Sequence, residues 1–83
     1  MVDVYPTIYD NTANLRLSLN YDTEVTIDVY DLYGSPIKRL IDREAKQAGE
    51  YYLQDNTTNA PNGVYIYVVK ACNQTKADIG IKE

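Results

Sequence analysis

The chain has no histidine, no tryptophan and no phenylalanine, and a single cysteine among its 83 residues. Without histidine it lacks both the commonest general base and the commonest zinc ligand. Hydroxyl side chains are plentiful, but no imidazole is there to activate one as a nucleophile. Cys72 has no partner for an intrachain disulfide, so packing must hold the fold together. A lone cysteine at a strand end reads as a small hydrophobe, although Lys70 and Lys76 lie near it in sequence. No apolar run approaches the ~18 residues of a membrane-spanning helix, and the N-terminus lacks the basic-then-apolar order of a signal peptide. Basic clusters are short too, none exceeding Lys38-Arg39. Eight Lys and Arg against twelve Asp and Glu leave a net charge of −4, which argues against nucleic acid as a partner.

What is present suits one small domain, residues 1–83, near the lower limit of unaided folding, where little more than ~60% of the unfolded surface is buried. Hydrophobic residues make up 45% of the chain, enough for a real core, and the charges are scattered. All nine aromatics are tyrosine, a bias that fits strands with one wet face and surfaces that make amphipathic contacts.

The apolar period is two. Leu15, Leu17 and Leu19 alternate with Arg16, Ser18 and Asn20, and Val25, Ile27 and Val29 alternate with Thr26, Asp28 and Tyr30. With a turn at residues 20–23 between them, these two segments read as a hairpin. Gly34 and Pro36 then break the pattern, and a strand follows from Ile37 to Ile41. Asp42 to Gln47 reads as a charged connection that carries the chain from one sheet to another. Glu50 to Asp55 is a further strand, residues 56–62 a polar loop, and Gly63 to Lys70 the longest β-forming run. A turn at residues 72–74 leads into Thr75 to Lys82, so the chain closes on a hairpin. With a short start at Val2 to Tyr5, the prediction is an all-β, seven-stranded antiparallel immunoglobulin-like β-sandwich. Tyr65 then stands where such sandwiches keep a corner tyrosine, buried, with its hydroxyl bonded to upstream backbone.

Val4-Tyr5-Pro6, the run Val25 to Gly34, Ala48-Gly49-Glu50-Tyr51, the run Asn62 to Tyr67 and the closing Lys76-Ala77-Asp78-Ile79-Gly80-Ile81-Lys82 occur in this order along the whole chain. Together they resemble the C-terminal sorting domain of the type IX secretion system. The resemblance implies an immunoglobulin-like domain at the end of a larger secreted protein of the Bacteroidetes group, with the cargo domain N-terminal to it. Such a domain is no enzyme and takes no cofactor. It directs the cargo through the periplasm and across the outer membrane to the cell surface or the medium. The implied partners are an outer-membrane translocon and a sortase-like peptidase. By position, Asp31, Leu32 and Gly34 match the family's turn motif, Gly63 and Tyr65 its Gly-x-Tyr motif, and Lys76, Ile79, Ile81 and Lys82 its terminal strand, the segment expected to be recognised. The chain departs from the family in having Pro6-Thr7-Ile8 where Pro-Asn-Pro is common.

Plainer roles exist for the same residues. On that reading Gly34 serves a turn, Gly63 a crowded strand start, Leu32 and Tyr65 the core, and Lys82 a solvated chain end. Two acidic loops, Asp10-Asn11 and Asp55-Asn56, invite a calcium reading, but their spacing matches no calcium loop. Paired carboxylates for glycoside hydrolysis would need a cleft that a domain this small does not promise. Asn56-Thr57-Thr58 and Asn73-Gln74-Thr75 fit the weak glycosylation sequon. The competing functions are a carbohydrate- or surface-binding module that stacks sugars on Tyr9, Tyr21, Tyr33 and Tyr52, and a spacer for a secreted enzyme. Edge strands also make recognition by strand addition, or a weak dimer, physically easy.

Overall fold

A computed structural model describes residues 2–9, 11–71 and 74–82, with backbone alone at residues 2–7 and 9. Among the described residues the regular structure is all β. The strands are β1 (Val2–Tyr9), β2 (Thr12–Leu19), β3 (Thr23–Asp31), β4 (Pro36–Lys46), β5 (Gly49–Asn56), β6 (Gly63–Ala71) and β7 (Gln74–Lys82). They form two antiparallel sheets, one of order β1-β2-β5 and one of order β4-β3-β6-β7.

Alternation along the strands builds the core. Ala13, Leu15, Leu17 and Leu19 from the first sheet meet Val25, Ile27, Val29, Ile41, Tyr65, Tyr67, Val69 and Ala71 from the second in one buried cluster. The intervening side chains face outward, and the two outward faces differ in chemistry. Asn14, Arg16, Tyr52, Gln54 and Asn56 lie on the three-stranded sheet, whereas Val64, Ile66, Val68, Ala77, Ile79 and Ile81 lie on the four-stranded one.

Two sequence expectations are corrected. β2 and β3 are not a hairpin: β2 pairs with β1 and β5, and β3 pairs with β4 and β6, so the turn after Leu19 carries the chain between sheets. Alternation fixes which face a residue occupies but not which strand it pairs with. Asp42 to Gln47 is not a connection either, because β4 runs on to Lys46 through a bulge. There Arg43 takes φ 48°, and its amide donates to Thr26 Oγ1 at 3.1 Å. The crossing to the other sheet comes at Gln47-Ala48, where the Ala48 amide donates to Asp22 Oδ1 at 2.9 Å. The first strand is longer than expected, reaching Tyr9.

β1 lies against β7, bringing the edges of the two sheets together on that side. Gly80 makes this approach possible. A Cβ there would sit 3.1 Å from Ile8 Cδ1 and 3.1 Å from Tyr67 Cε2.

Candidate functional site

The turn after β3 is built by Asp31. Its Oδ1 accepts from the amides of Tyr33 and Ser35, both at 2.9 Å, while its carbonyl accepts from the Gly34 amide at 3.1 Å. Gly34 turns the chain at φ 84°, a conformation costly for any residue with a Cβ. The turn therefore projects Leu32 and Tyr33 outward, leaving Leu32 61% exposed. Leu32 does not fill the core, as the plain reading of it required.

Gly63 opens β6 at φ 151°, with open space where its Cβ would be. Backbone conformation, not crowding, is what this position asks for. Two residues on, Tyr65 is buried, and its hydroxyl donates to the Pro61 carbonyl four residues upstream. The turn and this corner meet around a hollow of about 290 Å³ lined by Asp31, Leu32, Tyr33, Pro61, Asn62, Gly63, Val64 and Tyr65. Four of the five motif positions line it, and Gly34 bends the turn that forms one of its walls.

The terminal strand continues the same surface. Ile81 pairs with Val64 and Ile79 with Ile66, and Ile66 pairs in turn with Tyr30 of β3. Ile79 and Ile81 are each 56% exposed, so an apolar patch runs from the hollow across the outer face of the four-stranded sheet. Its polar border is an ion cluster. Arg39 donates from Nε to Asp28 Oδ1 at 2.7 Å and from Nη2 to Asp28 Oδ2 at 3.3 Å, with Nη1 on Asp42 at 3.2 Å. The hydrogen bond to Asp28, and then its charge, hold the guanidinium pKa above its ordinary value.

Lys76 is exposed near the other end of β7, remote from the hollow. Lys82 is not a solvated end. It is only 6% exposed, and its ammonium donates to the Ala60 carbonyl at 2.6 Å and to the Thr57 carbonyl. Sequence reasoning gave no sign of this, since a lysine is rarely buried.

Among the described residues the alternative sites do not assemble. Tyr33 is at the turn tip of one sheet and Tyr52 on the outward face of the other, so the two share no platform. The side chain of Tyr9, and Asp10 and Cys72, lie outside the described residues. Asp55 is buried and paired with Lys38 at 2.8 Å, and the described residues hold no group of three side chains suited to a metal ion.

The family model described as the secretion system C-terminal sorting domain matches residues 3–82. No curated protein and no solved structure matches the chain.

Proposed function

Because the chain belongs to the secretion system C-terminal sorting domain family, we propose that it works as a non-catalytic address, read by an outer-membrane translocon through the apolar surface that joins the hollow to the last strand. Type IX sorting tails belong to cargo proteins bound for the cell surface or the medium. In our reading the cargo precedes this domain and crosses the periplasm with it, and a sortase-like peptidase acts after export. The two sheets form an immunoglobulin-like sandwich that carries the signal and does no chemistry itself.

One observation supports the choice of surface. The turn motif, the Gly-x-Tyr motif and the exposed isoleucines of β7, far apart in sequence, lie side by side. Large contiguous apolar patches on a monomeric domain mark interaction sites. Leu32, Val64, Ile79 and Ile81 are the contacts, and Tyr33 adds an aromatic rim suited to a wet interface.

The test is a periplasmic reporter fused ahead of residues 1–83 in a bacterium that has this secretion system. The reporter is expected in the medium or on the surface. Ile79→Asp with Ile81→Asp is expected to hold it in the periplasm while the domain keeps its melting temperature. Undiminished export of that double variant would refute the docking surface, and retention of the unaltered fusion would refute the sorting role.

A further inference from the structure

The loop between β5 and β6 has its carbonyls collected from two directions. Lys82, from the end of β7, donates to Thr57 and Ala60, and Tyr65, from β6, donates to Pro61. The Thr57 carbonyl also accepts from the Ala60 amide at 3.0 Å, and the Thr57 amide donates to the Asn11 carbonyl at 2.9 Å. Three carbonyls within five residues are thus held by side chains of the last two strands and by the loop itself. An ammonium withdrawn this far from water is stable only where dipoles replace its hydration, and these carbonyls are placed to do so.

The same loop is one wall of the hollow, through Pro61 and Asn62. The opposite wall is fixed independently by the Asp31 turn. We propose that Thr57, Ala60 and Pro61 form a carbonyl clasp built for one alkylammonium and one phenol. Lys82 and Tyr65 supply these from the chain itself, and Lys82 is a positioning residue that sets the hollow's wall without touching the secretion machinery. This proposal rests on the docking surface proposed above. It gives a residue of β7 a role at a surface that its own side chain does not join. Without Lys82 the loop keeps its length but loses the charge that gathers its carbonyls.

The experiment measures amide hydrogen exchange at Ala60 and Thr57 in residues 1–83, together with reporter export. Lys82→Met keeps the aliphatic stem and removes the donors. Protection at Ala60 is expected to fall about tenfold or more, as for loss of a charge-assisted hydrogen bond, while Val69 and Ile27 in the sheet stay protected. Export is expected to fall in step. Lys82→Ala in the presence of propylammonium is expected to regain loop protection, because the small cation refills the clasp. Should Lys82→Met unfold the domain, Tyr65→Phe opens the clasp from its other side and must lower Ala60 protection as well.

Unchanged loop exchange in Lys82→Met would overturn the proposal. So would lost export with full loop protection, since the machinery would then be reading the ammonium directly. A loosened loop with normal export would overturn the positioning role. The exchange measurement needs no secretion system, so failure of the clasp is distinguishable from failure of the docking surface, which the Ile79 and Ile81 variants report.

Discussion

Gly80→Ala tests how β7 is seated. The added methyl would meet Ile8 Cδ1 at 3.1 Å, Tyr67 Cε2 at 3.1 Å and Ile8 Cγ1 at 3.3 Å. Ile8 ends in a flexible methyl that can swing aside, but Tyr67 is among the largest fully buried side chains and has nowhere to go. Overpacking of this kind costs about 1–3 kcal/mol. Alanine restricts the unfolded chain more than glycine does, which returns ~0.4–1 kcal/mol. The net expectation is destabilisation by about 1–2 kcal/mol, or about 5–15 °C in melting temperature for a domain of this size. Thermal melts followed by circular dichroism read this directly, and urea midpoints supply the free energy. Ile8→Val, which removes Cδ1, sharpens the result. In that background the cost of Gly80→Ala should shrink by at least about 0.5 kcal/mol, a coupling expected only of residues in contact. A Gly80→Ala variant as stable as the parent, or strict additivity with Ile8→Val, would refute the close seating of β1 and Tyr67 on β7.

Tyr67 has its phenol pushed up from 10.0 to about 12, first by burial, then by the charge of Asp55 and by Tyr65. The unfolded chain therefore loses this proton first, and stability falls as pH rises from about 10 to about 12. Ultraviolet titration should show a tyrosine step at about pH 12, and Tyr67→Phe should remove it. Lys38→Ala leaves the Asp55 carboxylate buried without its 2.8 Å partner, and a loss of about 1–3 kcal/mol is expected. Melting curves that superimpose on the parent's would contradict it. Arg39→Lys gives up the two-pronged contact with Asp28 and should lower the melting temperature more than Asp42→Ala, whose side chain is well exposed.

The succession of strands along the chain and the closing hairpin were legible because apolar alternation in β2 and β3 is nearly unbroken and β6 is a continuous β-forming run. Partnership was not. Leu15 to Leu19 and Val25 to Val29 are equally good neighbours on paper, and only the way the sheets close decides that they belong to different ones. β4 was half hidden for another reason. An exposed edge strand needs no apolar side, and Asp42-Arg43-Glu44 with a bulge looks like a loop. At the site, Asp31, Gly34, Gly63 and Tyr65 could be picked out because turns and corners demand particular residue types. The inward turn of Lys82 could not, because it depends on loop carbonyls more than twenty residues away.

The terminal strand could offer a partner either its edge or its face, and the packing around it favours the face. Strand addition needs a clear row of backbone groups along β7, but β1 lies against that strand, and Gly80 is there to let it approach. A partner adding at this edge would have to displace β1 and expose core residues. The face asks for no rearrangement, because Ile79 and Ile81 already stand outward beside Val64 and Ile66. On the opposite outer face the described side chains of β2 and β5 carry amides, hydroxyls and Arg16 in equivalent positions. Packing of the core cannot explain this difference, since both faces lie outside it. A partner that covers one face and not the other would explain it, and under the proposals above Lys82 and Tyr65 would keep that face's end wall in place.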